Sequence, residues 1–168
     1  MLTWPLGERA SGRAIRDEFT VLLEVYLPLG VVWIADTVGA AAWFPPSEAQ
    51  RFADLERPTR DRIRPLTPDA GRRYDAFWDW LGSHVPDEPC YFMDIVGVHP
   101  SARGTGVGRA LVEHGLARAA SDRLPAFLET GNSDNLPFYE RLGFRLVERA
   151  DSPDGGPTIW FMRADPPG

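Results

Sequence analysis

The chain has 168 residues, 43% of them hydrophobic, which is enough for a packed α/β core and argues against disorder of its body. Its net charge of −6 argues against a nucleic-acid partner held by charge and mildly favours cationic substrates such as amines. Cys90 is the single cysteine, so no internal disulfide can form, and no apolar run approaches the about 20 residues needed to cross a bilayer.

These features, with no basic-then-apolar leader after Met1, give the expectation of a cytoplasmic protein with no membrane partner. Residues 1–12, with Pro5, Gly7 and Gly12, are expected to be an irregular lead-in. Over 13–26 the residues Ile15, Phe19, Leu22, Leu23 and Tyr26 recur at three- and four-residue steps, which predicts a helix with one apolar face, ended by Pro28 and Gly30. A hairpin follows, with strands over 31–35 and 40–44, a turn at 36–39, and a stop at Pro45-Pro46. Residues 47–89 form a polar, proline-punctuated insert with two predicted helices, over 47–57 with Ser47 as its cap and over 69–83. Tyr74, Phe77, Trp78 and Leu81 make an i, i+3, i+4, i+7 stripe on the second; packing on the sheet accounts for it, with Trp78 or Trp80 the candidates to line an acceptor pocket.

Residues 91–98 read as a central strand, apolar on both faces apart from Asp94. A helix over 107–121 follows, burying Val112, Leu116 and Ala119. A strand over 126–130 leads to a short helix over 135–142, with Asn135 as cap, Pro137 in its first turn and Gly143 just past its end. A hairpin over 144–149 and 158–163 closes the chain, and 165–168 are expected to be loose. The expected architecture is a single α/β (α+β) domain over 1–168, a mixed central β-sheet with helices on both faces and a helical insert.

Between the central strand and the helix at 107 lies Pro100-Ser101-Ala102-Arg103-Gly104-Thr105-Gly106-Val107-Gly108-Arg109, glycine-rich and without an acidic residue. Helix starts carry unpaired N–H groups and partial positive charge, and glycine lets a ligand approach the backbone closely, so the stretch reads as a pyrophosphate cradle. It is not a dinucleotide fingerprint, because the third glycine position holds Arg109, and not a Walker loop, because the chain has no lysine.

Arg103, Gly106 and Gly108, as Arg-x-x-Gly-x-Gly, resemble the coenzyme A signature of the GNAT superfamily of acyl-CoA-dependent N-acyltransferases. A second stretch, from Leu128 to Phe144, resembles the strand–loop–helix that closes that family's core, with Asn132 seven residues before Tyr139 and Gly143-Phe144 four after it. The resemblance implies a GNAT-like fold lacking the strand and helix that usually open it, with the insert between the third and fourth family strands and a cofactor core over 91–149. It implies acetyl-CoA as acyl donor, an amine as acceptor, and no metal. Backbone groups of Val96, Gly97 and Val98 would meet the pantetheine arm and thioester. Arg103, Gly104, Thr105, Gly106, Val107, Gly108 and Arg109 would surround the pyrophosphate, and Asn132 would hydrogen-bond the arm. Tyr139 holds the position of the acid that protonates the leaving thiolate. Glu129 is the first candidate for the base, and Asp94, a carboxylate in an apolar strand, is the other. His84, His99 and His114 read as surface or capping residues. The expected function is an N-acetyltransferase acting by direct attack of a small-molecule primary amine; the alternatives are a protein or peptide N-acetyltransferase and a catalytically silent acyl-CoA-binding module. A missing first strand would leave a sheet edge open, so a homodimer is a possible partner arrangement.

Overall fold

The computed structural model describes Pro5 and residues 12–167. The expected lead-in over 1–12 lies almost wholly outside the described residues. The first helix, α1 (Gly12–Leu29), buries Val21, Leu22, Tyr26 and Leu29 along one stripe. It runs three residues beyond the expected end, because Pro28 is accommodated inside its last turn. Gly30, at φ +69°, makes the stop. The hairpin β1 (Val32–Ala35) and β2 (Gly39–Phe44) follows, turned through Asp36 in the left-handed region.

The first insert helix departs from expectation. A short 3-10 turn, Pro46–Glu48, precedes α2 (Ala49–Ile63), and Ser47 does not cap it; Glu48 is at the N-cap position with no side-chain cap bond. The helix also continues through Pro58, where the sequence suggested an end. Polar partners compensate for its thin apolar stripe: Arg60 pairs with Glu56 one turn back and with Asp79, and Arg62 reaches Glu24 of α1. The second insert helix, α3 (Arg72–Gly82), starts after Gly71 and buries Tyr74, Phe77 and Leu81.

Strand β3 (Tyr91–Val98), helix α4 (Val107–Ser121) and strand β4 (Ala126–Thr130) fall where the sequence puts them. Helix α5 (Leu136–Glu140) is shorter than expected, and Asn135 makes no side-chain cap bond to it; its amide donates instead to Thr130 Oγ1 at 3.2 Å. Strands β5 (Arg145–Asp151) and β6 (Thr158–Ala164) form the last hairpin.

The six strands make one mixed sheet in the order β1-β2-β3-β4-β6-β5. Among the described residues, only β3 and β4 run parallel. Alternate residues of a strand point to opposite faces, and the core divides accordingly. Leu128 packs with Trp43, Met93, Met162 and the α4 residues Leu111, Val112 and Ala119. Phe127, one residue earlier, packs with Phe161 and the α3 residues Phe77 and Leu81. Helix α1 and Tyr74 cover Ala42 and Phe44 on that same second face. Helices therefore lie on both faces of the sheet, as expected. On the α4 side Gly115 is needed for the fit: a Cβ there would stand 2.1 Å from the fully buried Trp43 ring.

Two irregularities open the sheet. Strands β3 and β4 pair only from Tyr91–Ala126 to Met93–Leu128, after which β3 stays with β2 and β4 with β6. At that point β3 carries a bulge: Ala42 pairs with Ile95 and Trp43 with Met93, so Asp94 has no partner on β2. A bulge adds a residue to one strand, bends it and re-aims side chains. Here Phe92 and Ile95 pack toward α1, while Met93 and Val96 pack toward α4, which places the alternation slip at Asp94.

Candidate active site

The split between β3 and β4 runs into a cavity of about 620 Å³. Its floor is β3 and β4, and α1, α2 and α3 wall one side, with Tyr139 of α5 and Asn132 on the other. One step past the last rung, where Met93 faces Leu128, come Asp94 and Glu129, and both line this cavity.

Asp94 accepts a hydrogen bond from the Tyr26 hydroxyl at 2.8 Å. Surrounding protein atoms push its pKa up to about 6, against the opposing effect of that hydrogen bond. Glu129 is buried, and neither of its carboxylate oxygens has a hydrogen-bond partner among the described residues. Burial raises its pKa well above the carboxylate range, and the charge of Asp94 raises it further. Both carboxyls are therefore harder to ionise than ordinary ones. Tyr139 is pushed up to about 12, first by burial and then by Glu129, so its hydroxyl keeps its proton.

A third carboxylate stands behind this pair. Glu18 of α1 is fully buried, and burial raises its pKa to about 7. Tyr74 is near enough to oppose that shift, although no well-formed hydrogen bond reaches either Glu18 oxygen among the described residues.

The other end of the split is made of backbone. Val96, Gly97 and Val98 lie on the part of β3 that has left β4. Gly104, Thr105, Gly106, Val107, Gly108 and Arg109 form the turn from β3 into α4. Gly106 has φ +93°, a conformation that strongly favours glycine, and the first bond closing onto the helix runs from Ala110 N–H to Gly106 C=O at 2.9 Å. The N–H groups of Gly106 to Arg109 thus face outward from a helix start. Arg103 is exposed at this turn, and Arg109 bonds Glu113 at 2.8 Å. Asn132 lines the cavity and its Oδ1 accepts from Asp134 N–H at 3.0 Å.

The three histidines have structural settings. His99 accepts from Ser101 N–H at the turn, His84 stacks on Phe161, and His114 packs edge-on against Trp33. Trp78 lines the cavity, whereas Trp80 packs on His84 and Phe161. Among the described residues no group of three or more His, Cys, Asp or Glu could hold a metal ion, and no helix is long and apolar enough to cross a membrane. The sequence reading missed Tyr26 and Glu18 as site residues; both sit on α1, where Tyr26 reads as one more apolar-face residue and Glu18 as part of a polar run.

Residues 42–144 match the family model described as the acetyltransferase (GNAT) family. The chain belongs to the GNAT acetyltransferase family. The matched region runs from β2 to Phe144 and so holds the bulge, the split, the glycine turn and Tyr139. The chain is similar to the peptidyl-lysine N-acetyltransferase YjaB of Escherichia coli, 31% identical over 111 residues that cover 62% of this chain and 69% of the relative. It is also similar to the mycothiol acetyltransferase of Thermobispora bispora, 31% identical over 158 residues that cover 81% of this chain and 54% of the relative. The chain thus spans about half the length of that second relative. Among solved structures, a histone acetyltransferase HPA2-related acetyltransferase from Corynebacterium glutamicum superposes with a TM-score of 0.62 at 24% identity, covering 100% of this chain and 86% of that one. That likeness supports the GNAT fold.

Proposed function

We propose that this GNAT acetyltransferase moves an acetyl group from acetyl-CoA to the primary amine of a small molecule, by direct attack and without a metal. Residues 1–168 act as one catalytic domain, with 91–149 as its cofactor core and 47–89 as the acceptor-side insert. The observation that carries this reading is the split between β3 and β4, with carboxylates at its mouth and a glycine turn at its outer end.

The split leaves one edge of β3 without a strand partner beyond Met93. An extended amide-bearing arm fits such an edge as an added strand would, meeting Val96, Gly97 and Val98. The outward N–H groups at Gly106 to Arg109 suit a pyrophosphate, with Gly104 and Thr105 beside it, Arg103 shaping the turn and Asn132 holding the arm. These residues fit coenzyme A, and acetyl-CoA supplies the thioester carbonyl that the amine attacks.

The rest falls to side chains. An alkylamine with a pKa near about 10.4 enters mostly as ammonium and must lose a proton before it has a lone pair to give. Asp94, to which the Tyr26 hydroxyl donates, accepts that proton, and Glu129 beside it supplies a second oxygen pair toward the nitrogen. As the C–N bond forms, a β3 backbone N–H near Val96 stabilises the carbonyl oxygen. The C–S bond breaks, the thiolate takes the Tyr139 proton, and the second proton of the new amide nitrogen passes through solvent to the Tyr139 oxygen, which restores it. Calorimetry with acetyl-CoA, followed by thiol release over an amine panel, tests the reading. Saturable binding and release are expected, and absence of binding overturns it. Tyr139→Phe is expected to lower kcat by about 10- to 100-fold with the KM for acetyl-CoA kept; unchanged turnover would remove Tyr139 from the mechanism. A silent module would instead bind acetyl-CoA and release no thiol with any amine. The name of the Escherichia coli relative makes a peptide lysine the second acceptor to include in that panel.

A further inference from the structure

The cavity has two chemically distinct parts. One is the acid pair at the floor. The other is a chamber between α1, α2 and α3, lined by Ile15, Phe19, Phe52, Trp78 and Val85. All five keep part of their surface exposed although they line a concave site. Large apolar side chains left uncovered together in one concavity mark a surface that a ligand covers. Phe52 is braced against Tyr26 and Phe44, and Trp78 against Tyr74 and Phe77, so the aromatic walls are packed in place.

Charge narrows the ligand further. Arg60 lines the cavity, but its guanidinium is already held by Asp79 at 2.6 Å and by Glu56. A substrate carboxylate would find that cation satisfied and would face Asp94 and Glu129. A second ammonium, placed far from the first, would be desolvated among Phe19, Phe52 and Trp78, where the other lining carboxylate, Glu56, is already paired with Arg60. The buried, unpartnered oxygens of Glu129 call for a donor at the floor; on the chamber wall the unpartnered Trp78 Nε1 is itself a donor and buried.

We propose that the acceptor is a primary amine on an uncharged apolar body, an arylalkyl- or branched alkylamine, with its nitrogen at Asp94 and Glu129 and its body in the aromatic chamber. This rests on the acetyltransfer reading above and names its substrate class. The bonds made and broken are those already given: amine nitrogen to carbonyl carbon, carbonyl carbon from sulfur, the first nitrogen proton to Asp94, the Tyr139 proton to the thiolate, and the second nitrogen proton back to Tyr139.

The test has two arms. In the first, the unmodified chain and acetyl-CoA are given 2-phenylethylamine, isopentylamine, phenylalanine, spermidine and a lysine-containing peptide, and thiol release is followed. The first two are expected to show kcat/KM at least about tenfold above the other three; a higher value for any of those three overturns the inference and leaves acetyl transfer standing. In the second arm, calorimetry measures 2-phenylethylamine binding to the chain without cofactor. Saturable binding is expected, weakened at least about fivefold in Trp78→Ala and in Phe52→Ala, with circular dichroism reporting the fold. No saturable binding overturns the inference, and so does equal affinity in folded Trp78→Ala and Phe52→Ala.

Discussion

The two ends of the split are built in opposite ways. The outer end, from Val96 to Arg109, is one continuous stretch of chain that offers backbone N–H groups and open space at glycine. The inner end gathers side chains from α1, α2, α3, β3, β4 and α5, and it holds carboxylates that burial works against. The first kind of site is local and costs little stability. The second depends on the whole fold and leaves charged groups in poor surroundings. Substitutions should separate the two.

The largest effect on cofactor binding is expected at the outer end. Gly106 sits at φ +93°, and a Cβ built there meets no atom within 4 Å. A valine would strain this turn and project into space the pyrophosphate needs. Gly106→Val is expected to weaken acetyl-CoA binding at least about 100-fold, or some 2.7 kcal/mol, by calorimetry while circular dichroism stays unchanged. Full affinity would remove the turn from the cofactor site.

At the inner end Asp94→Asn should do the reverse. It is expected to lower kcat/KM for the amine by about 100- to 10,000-fold and to leave acetyl-CoA affinity within about twofold. The sign of the pH effect follows from Asp94 at about 6: the base is lost as pH falls through that value, so wild-type activity falls below it. The variant should lose this limb and keep only the one set by the amine's own ionisation. A pH profile for Asp94→Asn that keeps the limb near 6 would move the base elsewhere, with Glu129→Gln the next variant to profile.

The same contrast explains how much was legible in the sequence. The outer end could be read directly: glycine spacing, the absence of acidic residues and the start of α4 all lie within one window, and β3, α4 and β4 fall at the expected residues. The Asn132–Tyr139–Gly143 spacing is likewise local. The inner end was only half visible. Asp94 and Glu129 stood out as carboxylates in apolar strands, but nothing in the sequence of β3 announces a bulge, and without the bulge Asp94 has no reason to share a face with Ile95. Tyr26 lies 68 residues from its partner Asp94, and no local pattern links them. The caps failed for a related reason. Ser47 and Asn135 have the right chemistry at helix starts, but 3-10 turns lead into both helices, neither side chain caps its helix, and the Asn135 amide bonds Thr130 instead.

The smallest effect concerns stability, at the residue behind the acid pair. Glu18 has a pKa of about 7 in the folded chain against 4.5 for an ordinary glutamate. The folded state therefore holds this proton more tightly than the unfolded state. Stability is lost as pH rises from about 4.5 to about 7, and the loss is complete above that. The shift corresponds to at most ~3 kcal/mol. Glu18→Gln removes the ionisation while keeping the shape, so it is expected to be more stable than wild type at pH 8 by ~1–3 kcal/mol, or roughly 2–12 °C in Tm for a chain of this size. Near pH 4.5 the two should melt within about a degree or two of each other, since wild-type Glu18 is then protonated in the fold. Thermal unfolding at the two pH values checks this. A stabilisation that is the same at both would mean that packing, not buried charge, limits α1. A stabilisation confined to pH 8 would mean that the inner end carries a buried acid the fold is more stable without, while no substitution of the backbone-built outer end offers a comparable gain.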